Sequence, residues 1–363
     1  MRRIPSDPFG SDLDPSGSGK EPEEPAVILP FPAGRRAARR GRTHLRQSPG
    51  PSARRATIGP TKLLIYAAID IGSNTTRLLV GEPVEGQLKK VMEQRAYTRI
   101  GKAKDLKGKI SDEKIEEVAE VVETQVRLAE ELGATAIRVV ATAAIRDAPN
   151  GNKAVKVISE RADVPIEIIS EHEEGRLAFL GATKPLGHPV EGKIAIVDVG
   201  GGSTEITIGT IDDGVEKVRS WPIGSGLADD YVTSDPPSAS EIRRMRDRIE
   251  ETFEEVMIEK PDQVVAVGGS ATSLKKLTGV VLEYETLERA IRIISGDDSL
   301  AVSRQFELDP ERVKILSAGA LILEKASDLL GQPLQIGKGG IREGIILDML
   351  NDGVDVSEPV AAG

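Results

Sequence analysis

The spacing of apolar residues changes repeatedly along this chain, and each change marks an element. Residues 1–60 show almost no periodic apolar pattern and are rich in Pro, Gly, Ser and Arg, which predicts a disordered tail. The apolar run Leu63–Asp70 ends in an acid and predicts a buried strand, followed by strands at Thr75–Gly81 and Leu88–Tyr97. Ser111-Asp112-Glu113 opens a helix. Its apolar positions Ile115, Val118, Val122, Leu128 and Leu132 fall on one face, and Gly133 ends it. Strand Ile137–Ala141, helix Asn152–Arg161, strand Pro165–Ile169 and helix Glu171–Leu180 follow. The three-strand pattern then returns at Lys193–Val199, Ser203–Gly209 and Val215–Trp221. Helix Ser238–Ile258, strand Gln263–Val267, helix Ala271–Leu277, helices over 284–295 and 310–330, strand Leu334–Ile336 and a helix from Ile341 complete the pattern.

The returning pattern is an internal duplication. Ile69-Asp70-Ile71-Gly72-Ser73-Asn74-Thr75-Thr76-Arg77 aligns without gaps to Val197-Asp198-Val199-Gly200-Gly201-Gly202-Ser203-Thr204-Glu205, and Gly81 aligns to Gly209. A further glycine follows five residues later in both copies, Gly86 and Gly214. Each copy reads as strand, glycine turn, strand. Two such units facing one another build a cleft with an aspartate at the strand end on each wall.

Composition narrows the chemistry. The chain has 363 residues and no cysteine, which excludes disulfides, thiolate catalysis and cysteine-ligated metals. Three histidines leave little room for a histidine-rich metal site. The net charge of −10 is uneven: residues 1–60 carry 11 Lys and Arg against 6 Asp and Glu, and the remainder 37 against 52. An acidic body and few aromatic residues speak against nucleic-acid binding. Eight arginines and no acid between Arg35 and Arg55 read either as plain disordered tail or as an electrostatic tether to an anionic partner. Ser16-Gly17-Ser18-Gly19-Lys20 lacks the first glycine, the following Ser or Thr and the preceding strand of a P-loop. With neither a signal peptide nor an 18-residue apolar run, the expectation is a cytoplasmic protein with no membrane partner.

Glycine turns expose several backbone amides in one direction, an arrangement suited to phosphate oxygens. Gly72, Gly200, Gly201 and Gly202 let a ligand approach the backbone, and Ser73, Asn74, Ser203 and Thr204 add side-chain donors. A third loop, Gly268-Gly269-Ser270, opens a helix, and a fourth, Gly337-Lys338-Gly339-Gly340, precedes the last one. One such loop is an ordinary turn; four at strand ends point to an extended phosphate ligand. Asp70 and Asp198 read alone as turn caps, and together as a pair that attracts a hard cation beside phosphate. Glu205 could hold a metal-bound water. Arg77 is its counterpart in the first copy. The six basic residues between Arg95 and Ile110 read either as a solvated loop or as a positive rim for a polyanion. Arg146 is a candidate for a bidentate grip on phosphate. The acids of Ser170-Glu171-His172-Glu173-Glu174 cap a helix or, facing a phosphate, activate water.

Taken together, these residues resemble the Ppx/GppA family of exopolyphosphatases and guanosine pentaphosphate phosphohydrolases. The likeness runs from about Lys62 to Leu350. It is carried by Ala68–Asn74, Ala141–Arg146, Ile168–Ser170 with Glu173-Glu174, Ile196–Glu205 and Gly339–Gly344. It implies an α/β fold of two actin-like (ribonuclease-H-like) domains around a cleft, with residues 61–187 and 188–352 as the domains and 353–363 as a C-terminal tail. It implies release of a terminal phosphate from polyphosphate or guanosine pentaphosphate with Mg2+ or Mn2+. A guanosine alarmone sensor without turnover, or a kinase of the same superfamily, are the rival readings. By resemblance Glu174 is the general base, Asp198, Glu205 and Asp70 are the metal-site acids, and Arg146 binds phosphate. Gly269 and Ser270 join the glycine turns as phosphate binders. The family usually has Gly at the place of Glu171 and Ala at the place of Gly175, so Glu171 adds a charge beside the base. Longer relatives continue beyond the match into a helical domain that helps hold long polymers, which points to short chains here. A two-fold homodimer is the expected assembly. Removal of residues 1–60 is expected to leave phosphate release from polyphosphate unchanged, as measured by initial rates.

Overall fold

A computed structural model describes residues 64–84, 87–184, 191–253 and 258–351. The two predicted tails, the P-loop-like stretch and Gly86 lie outside these residues. The apolar run becomes β1 (Ile65–Ile71), whose residues Tyr66 to Ile69 and Ile71 are buried, as expected of a strand covered on both faces. It pairs antiparallel with β2 (Thr76–Val84), which pairs with β3 (Gln87–Ala96). α1 (Asp112–Glu131) starts where the Ser111 side chain accepts the Lys114 amide, and buries Ile115, Val118, Val122 and Val126. It leads into β4 (Ala134–Ala141), which runs parallel to β1. The short α2 (Ala143–Arg146), then α3 (Gly151–Ala162), β5 (Ile166–Ile168) and α4 (Glu171–Thr183) follow. The first sheet has the order β3-β2-β1-β4-β5.

The second sheet repeats the plan. β6 (Ile194–Val199), β7 (Thr204–Thr210) and β8 (Gly214–Trp221) form the antiparallel set. After α5 (Leu227–Tyr231) and α6 (Ala239–Thr252), β9 (Gln263–Val267) joins β6 in parallel. α7 (Gly268–Thr278), β10 (Val281–Leu282), α8 (Tyr284–Gly296), α9 (Ser299–Phe306), α10 (Pro310–Lys314), α11 (Leu316–Leu330), β11 (Leu334–Ile336) and α12 (Ile341–Asn351) complete the chain. The order is β10-β11-β9-β6-β7-β8. The duplication holds to the residue: Asp70 pairs with Arg77 across the first turn, and Asp198 with Glu205 across the second. Among the described residues no helix is long and apolar enough to cross a membrane.

Some predicted elements differ. The helix predicted over 310–330 is two helices broken at Ile315. The break lets Arg312 of α10 face the cleft while Ile315 and Leu316 enter the core. The helix predicted to reach Ile258 is described only to Thr252. Phe253 there turns into the core against Trp221, with ring centroids 4.7 Å apart. Four- and five-residue helices such as α2 and α5 are too short to show a period.

The two ends of the chain order are crossed in space. α4 packs against the second sheet, where Phe179 and Ala182 meet Ile194, Ile196, Val265 and Val267. α12 packs against the first sheet, where Ile345, Ile346 and Met349 meet Tyr66, Ala68, Leu79 and Val140. Burying each of these large side chains contributes roughly 1.5–3 kcal/mol. Between the sheets α4 and α12 touch backbone to backbone: a Cβ on Gly344 would lie 1.9 Å from the Leu177 carbonyl oxygen. Gly344→Ala is therefore expected to destabilise the fold by at least about 1–3 kcal/mol, the usual range for overpacking, measured by urea denaturation.

Candidate active site

Both glycine turns are built alike. The Gly72 amide donates to Thr75 and the Gly200 amide to Ser203, each at 3.0 Å. Their carbonyls are tied from behind. Ser73 and Asn74 accept from Gly101 and Arg99, and Gly200 and Gly201 accept from Ser225 and Gly226. The amides of Ser73, Asn74, Gly201 and Gly202 have no backbone acceptor among the described residues. The turns meet face to face: a Cβ on Gly201 would stand 2.7 Å from that of Asn74, so only glycine fits there.

Around this contact lies a polar cleft of about 140 Å³. It brings together Asp70, Gly72, Ser73, Asn74, Glu174, Asp198, Gly200, Gly201, Gly202, Ser203, Glu205 and Gly269 from the predicted set. Ser270 is not among them. α7 begins at Gly268, earlier than predicted, so Ser270 turns inward and its Oγ faces Gly319 of α11. Arg146 lines an adjoining hollow of about 690 Å³ that shares Ser73, Asn74, Gly201, Gly202 and Ser203 with the cleft. From there its Nη1 donates to Glu174 Oε2 at 2.8 Å and to the Ile169 carbonyl at 3.2 Å. Its Nη2 has no hydrogen-bond partner.

Four carboxylates share this small volume, and burial is the main influence on each. It raises Asp70, opposed by Arg342 and Arg77. It raises Asp198 to about 6, with Asp70 adding to the shift and Arg77 and Arg342 opposing it. It raises Glu205 well above the usual range, helped by Glu174 and Asp198 and opposed by hydrogen bonds from Ser203 and Ser220. It raises Glu174 to about 7, with the Arg146 hydrogen bond opposing and Asp70 and Asp198 contributing. Glu171 stands apart, half-exposed, 3.7 Å from Arg146 Nη2. Its extra charge therefore falls on the arginine's outer side.

The walls differ in sign. Arg77 is largely buried beside Asp70, and its pKa is lowered to about 10 by burial and by Arg342 and Arg95. Arg342 at the start of α12 shares Glu93 with Arg77, at 2.8 and 2.9 Å. Arg312 is also buried, lines the cleft against Gly269, and has no partner for its Nε. Sequence reading gave no role to Arg312 or Arg342. Arg342 could have been found as the charge beside the fourth glycine loop, whereas Arg312 looked like an ordinary helix residue. The basic stretch after β3 is partly engaged elsewhere: Arg99 pairs with Glu311, Lys102 with Asp229 at 2.6 Å, and Tyr97 donates to Asp309 at 2.7 Å. These contacts join the first sheet's side of the cleft to the second.

A hard divalent cation fits this donor set. Asp70 Oδ1 is buried without a partner, facing Asp198 across the cleft. Among the described residues no three acids converge into a ready cage. Magnesium does not require one, since it keeps several waters and shares phosphate oxygens.

The sequence model of the Ppx/GppA phosphatase family matches residues 79–352. Exopolyphosphatase 1 of Mycobacterium tuberculosis is 28% identical over 306 residues, which cover 79% of this chain and 88% of the relative. Exopolyphosphatase 2 of the same organism is 27% identical over 310 residues, covering 78% and 96%. Among solved structures, a Ppx/GppA family member from Aquifex aeolicus superimposes with a TM-score of 0.67 at 28% identity, covering 80% of this chain and 98% of its own. An exopolyphosphatase from Cytophaga hutchinsonii, at 19% identity, shares the fold with a TM-score of 0.70, over 81% and 100% of the two chains.

A buried acid with a raised pKa binds more protons folded than unfolded, so it lowers stability as pH rises from its unfolded value through its folded one. For Glu205 the loss begins near 4.5 and continues up to its raised folded value. In metal-free protein, Glu205→Gln is expected to gain thermal stability over the wild type as pH rises from 5 to 8, measured by scanning calorimetry with chelator. A constant difference across that range would show that Glu205 does not titrate there.

Proposed function

The chain belongs to the Ppx/GppA phosphatase family, a family of hydrolases, and from that premise we propose that it removes the terminal phosphate of inorganic polyphosphate, short chains in particular. The observation that carries this reading is the position of Glu174: a largely buried carboxylate, raised to about 7, lining a cleft walled by two glycine turns. A general base works best with a pKa near the working pH. Ionised, Glu174 takes a proton from water as the water attacks the terminal phosphorus in line and the bridging oxygen leaves with the shortened chain. The names of the mycobacterial relatives support polyphosphate as substrate.

In this reading the amides of Ser73, Asn74, Gly201 and Gly202, with Ser203, hold the terminal phosphoryl oxygens. Arg312 and Arg342 face the following phosphates, where buried guanidinium groups are matched by bidentate contacts. Arg146 orients Glu174 through their hydrogen bond. Asp70, Asp198 and Glu205 would hold Mg2+ or Mn2+, which when bound supplies positive charge to the phosphate being transferred.

Glu174→Gln is expected to reduce turnover at least about a hundredfold and to change KM by less than about threefold. The check is initial-rate phosphate release with Mg2+ on short polyphosphate, long polyphosphate and guanosine pentaphosphate at equal concentrations of ends. Near-normal turnover would move the base away from Glu174. Faster release from the nucleotide would make guanosine pentaphosphate the substrate.

A further inference from the structure

We infer that Asp348 is a positioning residue for the reaction: from α12 it fixes both the helix start that carries Glu174 and the strand that leads to Arg146. The inference rests on the reading of Glu174 as the base.

Asp348 is buried, and each of its oxygens takes a different arginine. Arg138 of β4 donates from Nη1 to Oδ2 at 2.7 Å, and Arg176 of α4 from Nη2 to Oδ1 at 2.8 Å. Arg176 also closes a fork on Glu173, from Nε to Oε2 at 2.8 Å and from Nη2 to Oε1 at 2.7 Å. The other edge of Arg138 forks onto Glu167 of β5, at 3.2 and 3.0 Å. One carboxylate on the last helix thus binds β4, β5 and the first turn of α4 together.

Two features turn this brace toward catalysis. Glu173 and Glu174 are neighbours on a helix, about 100° apart around its axis. Glu173 faces the arginines and Glu174 lines the cleft. Second, β4 ends at Ala141, and Thr142 leads directly into the short helix that ends at Arg146. The two elements that Asp348 joins therefore carry the two ends of the 2.8 Å contact between Arg146 and Glu174. With Asn at position 348, one face of the side chain becomes a donor pointing at a guanidinium, and the charge that holds two arginines together is gone. Glu173, 2.7 Å from Arg176 and 3.9 Å from Arg138, is then left as the bridge between the two arginines, and the first turn of α4 shifts. A misplacement of about 1 Å can cost on the order of a hundredfold in rate.

The test measures polyphosphate hydrolysis by Asp348→Asn, Glu173→Gln and the double variant, each corrected for its folded fraction by thermal unfolding. Each single change is expected to lower kcat roughly ten- to a hundredfold while KM stays within about twofold. The double variant should lose no more than the worse single one, because both cut the same link. Unchanged kcat per folded molecule, with only Tm reduced, would make the network a structural brace and overturn the inference. A rise in KM at constant kcat would overturn it too. If Asp348→Asn does not fold, Glu173→Gln decides alone, since it leaves both arginines on Asp348. Glu174→Gln in the same assay keeps the two readings apart. Near-normal turnover there removes the base itself, whereas its loss beside unaffected Asp348 and Glu173 variants removes only the positioning role.

Discussion

Confinement of negative charge is the constraint on which the site depends. Asp70, Asp198, Glu205 and Glu174 face one small cleft, and each is largely shielded from water there. Isolated carboxylates in such a place would simply stay protonated. Here the balance is intermediate, with Asp198 near 6 and Glu174 near 7. A polyanionic substrate would meet repulsion from four ionised acids, so a cation between the acids and the phosphates lowers the energy of both. The proposed metal and the proposed substrate are therefore linked electrostatically: each makes the site more favourable for the other.

The duplicated fold supplies symmetry in the backbone and breaks it in the side chains. Asp70 and Asp198 occupy the same register position, and the residues opposite them, Arg77 and Glu205, carry opposite charge. One wall thus holds an acid tempered by Arg77 and Arg342, and the other holds two acids, Glu205 tempered by serine hydroxyls and Asp198 by the same two arginines. An extended phosphate chain needs positive charge along its length and a base at its end. Two identical walls would provide one of these twice.

Much of this was legible in the chain itself, and the rest was hidden for physical reasons. Strand runs and helix starts at Ser111 and Ser170 follow from apolar spacing and side-chain capping, which are local. The pairing of Asp70 with Asp198 was visible because a duplication aligns residues that space later brings together. Ser270 was misplaced because a helix beginning at Gly268 rotates every following side chain, and local pattern does not locate a helix start to within two residues. Arg312 sat inside a predicted continuous helix. Only the break at Ile315 turns it toward the cleft. The contact between Arg146 and Glu174 joins residues on separate elements, and no spacing rule reaches across that distance.

The helix pair explains why a site with so many competing charges can keep its distances. α12 brings Arg342 and Glu343 to the cleft at one end and Asp348 to the arginine network at the other. α4 brings Glu174 to the cleft from its first turn. Where they cross, the contact is Gly344 against the Leu177 carbonyl and Gly181 against the Gly340 carbonyl, with no side chain between. Side chains can change rotamer to absorb a strain, whereas backbone pressed on backbone cannot. The spacing between the base and the Arg342 end of α12 is thus set by a backbone-to-backbone contact with little room to give. Repulsion among the buried acids is then borne by a rigid pair of helices, and the geometry of Glu174 survives the charge around it.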